Sequence, residues 1–367
     1  MAEAVFIDRT GAGPRSSELW EPILVPAEVL ADQIDRLSAA PAPADGRRIA
    51  VISHPRAVDG SRGLAPGIHC QLEVLLPGER TLPVRHNASE INFCVEGSGR
   101  AIVGAETVEY QQYDTWIHPS MTTYSHENPT TERQVRLTYS NEALLEAMRI
   151  HVVDPSAARQ SLPAERAAGA ARGSGAVAEH ELIDLDERGS ALMSYEAAIN
   201  PPVVTQEVLH WPWHAVRPPL EELAALGPEY RGRRLYVFYN RATGRTNGTG
   251  PTLFASICIR PADVVDRPHR HSSAAINYFF SGHGHSVSGG KTFHWKAGDL
   301  MLTAPGWLVH HNASGSEPVL ELTVQDQPFT LAVDALLWQE DLAGEIRLLG
   351  SHAGFATNRA EVVAATG

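Results

Sequence analysis

His269 and His271 stand one residue apart, and His310 follows 39 positions after His271; these are the residues whose type and spacing could do chemistry. Side chains two apart on a strand point to the same face, so the pair in Pro268-His269-Arg270-His271 can converge on one point, with His310 arriving from a partner strand. Neutral imidazole is the commonest protein metal ligand, and three of them around one divalent cation leave coordination positions open for reacting groups. A His-x-His pair alone reads as readily as a polar strand face in water. The third histidine and the glycines framing the pair favour ligation.

The elements that must position these rings are legible around them. Ile276–Phe280 reads as a strand, Gly282 and Gly284 as a turn, and Gly289-Gly290 as a second turn. Lys296-Ala297-Gly298-Asp299 turns into Leu300–Thr303, and Pro305-Gly306 precedes Trp307–His310. Together they make a small β-barrel. The pattern occurs twice: moving residues 84–126 forward by 185 positions carries His86 onto His271, Asn92 onto Asn277, Gly97 onto Gly282, Gly99 onto Gly284, Gly104 onto Gly289 and Asp114 onto Asp299. The copies are chemically unequal. Where the later one has His269 and His310, the earlier one has Val84 and Ser125; it keeps His86 and adds Glu90, with His118 and His126 nearby.

The class is mainly β. The chain has 367 residues, 43% of them hydrophobic, with 25 prolines and 30 glycines among short apolar runs. Two barrels of ~110 to 130 residues and their connectors account for it. The expected division is a helical N-terminal extension over 1–45, a first barrel without metal over 46–153, a connector over 154–215, a metal-bearing barrel over 216–335 and a tail over 336–367. Short helices are expected before the first barrel, with Ser17 or Pro26 near a helix start, and over Pro218–Leu226, with His210 and His214 in a packed aromatic cluster; Asp154 through Ala178 is low in complexity. A net charge of −13 argues against nucleic acid or an anionic membrane as partner. No stretch of about 20 apolar residues is present, and the start lacks a basic region ahead of an apolar core. The expected location is cytoplasmic, and Cys70, Cys94 and Cys258 are expected as buried free thiols.

The glycine-framed His-x-His and the later Pro-Gly-x(3)-His resemble the two motifs of the cupin superfamily, and their duplication implies a bicupin of two jelly-roll-type barrels. Many cupins carry a glutamate ligand where this chain has Ala275 or Ile276, which leaves a three-histidine set. From Trp211 to Phe329 the order Trp-x-Trp, Arg233-Arg234, Pro251-Thr252-Leu253, His269-Arg270-His271, Gly298-Asp299-Leu300, His310-x-Asn312 and Asp326-x-Pro328 is similar to the gentisate 1,2-dioxygenase family, which includes salicylate and 1-hydroxy-2-naphthoate ring-cleaving enzymes. The match covers about a third of the chain, and Leu19-Trp20-Glu21-Pro22 is a weaker echo. In that family the matching histidines usually lie in the first barrel; here they lie in the second.

The resemblance implies Fe(II) on His269, His271 and His310, with a 2-hydroxybenzoate-type acid and dioxygen as substrates. Ring cleavage falls between the carboxyl-bearing and hydroxyl-bearing carbons, and the assembly is a homodimer or homotetramer. Relatives place an arginine where this chain has Asn277, and often a histidine where it has Asn312. A carboxylate clamp therefore falls to Arg233 or Arg234, and Asn277 and Phe254 join them as expected substrate contacts. Asn277, Asn312, Asp326 and His285 form the expected catalytic set, with Asp326 orienting a ligand or water and His285 carrying protons. The neutral asparagines favour a salicylate bearing, for instance, a nitro or halogen group over plain gentisate. Two other readings stay open: another metal-dependent cupin enzyme, such as a diketone-cleaving dioxygenase or an isomerase, and a non-catalytic bicupin that binds a small ligand.

Overall fold

A computed structural model describes residues 4–57, 61–154, 156–157, 182–227 and 229–366; the low-complexity stretch 154–178 falls almost entirely outside them. Two six-stranded antiparallel sheets dominate. One runs in the order His210–Trp211, Thr115–His118, Glu90–Glu96, Gln134–Ser140, His69–Leu75, Arg48–Ile52, and the other Ile23–Val25, Leu300–Pro305, Ala274–Ser281, Val319–Gln325, Phe254–Arg260, Leu235–Val237. Each is faced by a three-stranded sheet, Glu106–Gln111, Ser98–Val103 and Tyr124–Glu127 in the first barrel and Lys291–Lys296, His283–Ser288 and His310–Ser314 in the second. These are two cupin barrels. No helix among the described residues is long and apolar enough to cross a membrane.

The repeat holds in detail. The strand bulge between Cys94 and Glu96 recurs between Phe279 and Ser281, 185 positions on. Gly97 and Gly282 both take a left-handed backbone, with φ of +77° and +80°. A Cβ at either would stand 2.3 Å from the carbonyl oxygen of Arg133 or 2.5 Å from that of Pro318, so only glycine turns the chain there.

Period-two alternation explains how the barrels join. Ile91 and Phe93 point to one face of their strand and Asn92 to the other; Ile276, Tyr278 and Phe280 alternate likewise with Asn277. The apolar faces meet in one buried cluster that includes Leu72, Phe93, Leu137, Ile257, Tyr278 and Leu322, with Phe93 and Phe280 ring centroids 5.5 Å apart. The barrels also exchange strands. Ile23–Val25, which precedes the first barrel, pairs with Leu300–Leu302 of the second, and His210–Trp211 pairs with Thr115–Trp116 of the first. The repeat-matched aspartates fasten both exchanges: Asp299 Oδ1 accepts from the Ala27 amide at 2.7 Å, and Asp114 Oδ1 from the Trp213 amide at 2.6 Å.

Those amides open the helices Ala27–Ala39 and Trp213–Ala224. The second starts five residues earlier than the expected Pro218, directly after Pro212. His210 donates toward Asp114 Oδ2 at 3.0 Å, while Trp211 and Trp213 pack on Phe238 and Phe280. Of the two expected starts, Pro26 is the one that opens a helix, and Ser17 does not. That segment is extended instead, pinned by Trp20 stacked 4.7 Å over His54 and by an Arg56–Glu18 pair at 2.8 Å. The cysteines are free and buried.

Candidate metal centre

His269 is bridged to His310 by two backbone hydrogen bonds, His269 N to His310 O at 3.1 Å and the reverse at 2.9 Å. His271 lies two residues on, in the short strand Arg270–His271, which pairs with Leu337–Gln339. The three rings, all buried, offer ligand nitrogens within 4.8 Å of one another. Their tautomers are set by the backbone. Nδ1 of His269, His271 and His310 lies 3.0, 2.9 and 2.9 Å from the carbonyl oxygens of Arg267, Ser273 and Leu308. A carbonyl only accepts, so each Nδ1 carries the proton and each Nε2 keeps its lone pair.

Burial first, and then the charges around the cage, keep these rings neutral. His269 and His271 are held well below the usual histidine range by desolvation, with Arg233 and His310 adding repulsion, and His310 is pushed down to about 4, again mainly by burial. A buried trio of neutral imidazoles with free Nε2 atoms fits a divalent transition-metal ion.

The cage opens into a cavity of about 370 Å³ lined by Arg233, Arg234, Phe254, Asn277, Asn312 and Trp338, among others. Asn277 Nδ2 donates to Thr323 Oγ1 at 2.8 Å, and Asn312 Oδ1 accepts from Ser286 Oγ at 2.7 Å. Arg234 donates to the Gly227 carbonyl and lies over the Tyr230 ring, whereas Arg233 pairs with Glu340 at 3.1 Å. The other nearby arginine, Arg260, is buried and committed to Glu321 and Asp266.

Two expected site residues are not brought in. His285 points away from the cavity because, on the strand His283–Ser288, Ser286 and Ser288 are the inward residues; His285 faces His294, ring centroids 5.8 Å apart. Asp326 does not reach the cavity either. Its Oδ1 accepts from the Ala274 amide at 2.7 Å, which fastens the chain three residues past His271, and its Oδ2 rests against Gly67 of the first barrel.

The tail supplies what the motifs do not show. Trp338 lies over His269 at 5.7 Å and His271 at 4.7 Å, and its Nε1 donates to Glu340 at 2.9 Å. The fold shows the correspondence: the same 185-residue shift carries the bridge His86–Val153 onto the pair His271–Trp338.

In the first barrel the corresponding groups gather around a carboxylate, while His86 Nδ1 and His126 Nε2 have no hydrogen-bond partner among the described residues. Glu90, buried, accepts from His118 Nδ1 at 2.8 Å and from Tyr124 Oη at 2.9 Å, and His86 Nε2 lies 3.3 Å away. Burial alone would raise the Glu90 pKa, but the hydrogen bonds from His118 and His86 win and hold it well below the usual carboxylate range. Glu142, Glu146 and His151 also meet, at that barrel's mouth, and Arg62 already pairs with both carboxylates, at 3.5 and 2.9 Å.

Comparison with known proteins places the chain among enzymes. Residues 71–140 match the cupin domain family, and residues 257–353 the AraC-like ligand binding domain family. A 1-hydroxy-2-naphthoate 1,2-dioxygenase from Nocardioides sp. (strain KP7) is 27% identical over 318 residues, 84% of this chain and 75% of the relative. Gentisate 1,2 dioxygenase 1 from Aquipseudomonas alcaligenes is 24% identical over 287 residues, 75% of this chain and 74% of the relative. The solved salicylate 1,2-dioxygenase from Pseudaminobacter salicylatoxidans has the same fold, with a TM-score of 0.71 at 17% identity, over 91% of this chain and 93% of that one.

Proposed function

We propose that this bicupin, a relative of the gentisate, salicylate and 1-hydroxy-2-naphthoate 1,2-dioxygenases, opens the ring of a salicylate-like aromatic acid with dioxygen. Cleavage falls between the carboxyl-bearing and hydroxyl-bearing carbons. Both oxygen atoms stay in the product, an unsaturated oxo-acid, so dioxygen is the only oxidant and no external reductant is needed. The observation that carries the reading is the cage of three neutral imidazoles, each with its Nδ1 fixed on a backbone carbonyl, open to a cavity with arginine at its wall.

His269, His271 and His310 would hold Fe(II). Bound there, ferrous iron supplies a Lewis acid for the substrate's carboxylate and phenolate and the electron-transfer chemistry that dioxygen requires. The protein's own part is positioning. Arg233, with Arg234 beside it, offers the charge for the acid's carboxylate. Phe254 and Trp338 wall the aromatic ring, and Asn277 and Asn312 contact its substituents without adding charge. Burial of the cage keeps bulk water from the reacting oxygens. Neutral amides at 277 and 312 suit a salicylate with a nitro or halogen substituent better than gentisate. We place the enzyme in the cytoplasm as a homodimer or homotetramer, which light scattering would check.

The test is anaerobic reconstitution with ferrous iron followed by oxygen uptake across gentisate, salicylate, substituted salicylates and 1-hydroxy-2-naphthoate, using isotopically labelled dioxygen. The expected result is stoichiometric uptake with at least one acid and both labelled atoms in the product. Iron demonstrably bound without uptake on any acid would overturn it. The match of residues 257–353 to AraC-like ligand binding domains favours one second reading, a barrel that binds a small ligand without turnover. Tight binding of a hydroxybenzoate to the iron-loaded protein without consumption would select it.

A further inference from the structure

Among the described residues Arg233 has one carboxylate partner, and that partner comes from the tail. Its Nη2 lies 3.2 and 3.1 Å from the two Glu340 oxygens, and its guanidinium carbon is 5.7 Å from the centre of the Trp338 ring. Arg233 and Trp338 line both the cavity at the imidazole cage and a second, outer cavity of about 500 Å³, whereas Glu340 lines only the outer one. The guanidinium thus stands at the boundary, with a carboxylate on its outer side and the cage on its inner side. The pair is about a third exposed, at 33% and 28%, so neither charge is locked away from exchange. Glu340 also has a second hold, the Trp338 Nε1 donor at 2.9 Å, which does not depend on Arg233.

We propose that Glu340 is a built-in competitor for the substrate: its carboxylate occupies Arg233 until the carboxylate of an incoming aromatic acid takes that place from the cage side, while Glu340 stays on the Trp338 indole. The inference rests on the function proposed above and deepens it by naming the residue that sets affinity for the acid's charge. Among the arginines lining the cage cavity, Arg260 is held by the buried Glu321 and the half-buried Asp266, and Arg234 is turned to the Gly227 carbonyl and the Tyr230 ring. The exchange on Arg233 therefore decides how strongly a carboxylate is held. Because Trp338 stacks on His269 and packs at a tilt against His271, the strap that carries Glu340 also rests on the two rings beside which the acid must sit. An exchange of this kind favours ligands with a full negative charge, since a neutral group gains nothing by displacing a carboxylate.

The test is calorimetric titration of the iron-loaded protein, without oxygen, using salicylate and its neutral analogue salicylamide. Glu340→Gln keeps an acceptor for the Trp338 indole and removes the charge. It is expected to bind salicylate roughly twofold to fivefold more tightly than the unaltered protein, the scale of a partly exposed ion pair, and salicylamide equally. In the double variant Arg233→Gln with Glu340→Gln the gain should vanish. Unchanged or weaker salicylate binding by a Glu340→Gln protein of equal metal content and melting temperature overturns the proposal, as does an equal gain for salicylamide. If the unaltered enzyme consumes oxygen with hydroxybenzoates in that case, the ring-cleaving reading stands and only the competitor role falls. No hydroxybenzoate binding by any variant overturns both.

Discussion

The two barrels share strand order, bulge, turn glycines and cross-barrel aspartates, yet only one has the makings of a reactive centre. In the second, every imidazole of the trio gives its Nδ1 proton to the backbone and keeps its Nε2 for a ligand. In the first, His86, His118 and Tyr124 close around the Glu90 carboxylate instead of converging on a free point. A barrel interior becomes a site when its imidazoles converge with their ligand nitrogens free; the same residue types gathered around a buried carboxylate hold that carboxylate instead.

The sharpest way to break that contrast is by metal content. His271→Ala should take the iron-loaded protein from about one ion per chain to nearly none, and His86→Ala should leave loading unchanged, both measured by elemental analysis after gel filtration. Equal loss in the two variants would show that the first barrel also binds. Next in size is the first barrel's closed network. Glu90→Ala strands two imidazoles and a phenol in the interior and should destabilise the fold by about 2–4 kcal/mol without loss of metal, read from denaturant titration. Because Glu90 sits below its ordinary pKa of 4.5 in the folded chain, its stabilisation is complete above that value and drains away as the pH falls further. The gap between the unaltered protein and Glu90→Ala should narrow in acid, and a gap that is constant or widens there would contradict the ionised assignment.

The repeat offers an intermediate test of the shared scaffold. Gly97→Ala and Gly282→Ala each force a side chain into a left-handed turn and onto a carbonyl oxygen. Each should cost about 1–3 kcal/mol, and the two melting-temperature losses should be alike. A large loss at one and none at the other would mean that the turns are equivalent in shape but not in load.

What could be read along the chain was whatever local spacing encodes. Histidines at a two-residue interval, glycines at turns and a repeat of constant length all survive in the folded protein, because strand period and positive φ are local constraints. Asn277, Asn312 and Phe254 reach the cavity for the same reason. His285 shows where that reading fails: the strand period applies there too, but its phase is set by which face the barrel closes over, and Ser286 holds the inward place beside Trp295. Trp338 and Glu340 were out of reach of motif reasoning. They come from a tail that returns to the cage only through its pairing with Arg270 and His271. The strand exchange was hidden likewise, since Ile23–Val25 and His210–Trp211 each pair with the barrel on the far side of the shared core.

The most local comparison, absent in acid, isolates one atom's charge at matched places in the two barrels. Asn141 Oδ1 accepts from the Ser89 amide at 2.9 Å, and 185 residues later Asp326 Oδ1 accepts from the Ala274 amide at 2.7 Å. The bond is the same and only the second barrel has a carboxylate behind it. Burial pushes the Asp326 pKa up from 3.8 to about 6, against the pull of the backbone amides. A carboxyl raised on folding favours the folded state most while protonated, so its cost to stability grows as the pH rises from about 3.8 and levels off above about 6. Asp326→Asn copies the first barrel's solution. It should come close to the unaltered protein near pH 4 and exceed it in stability by up to about 3 kcal/mol at pH 8, measured as melting temperature against pH. Asn141→Asp should do the reverse in the first barrel. If both variants leave the pH profile flat, the carboxylate is solvated or paired, and the two places are electrostatically as alike as their hydrogen bonds.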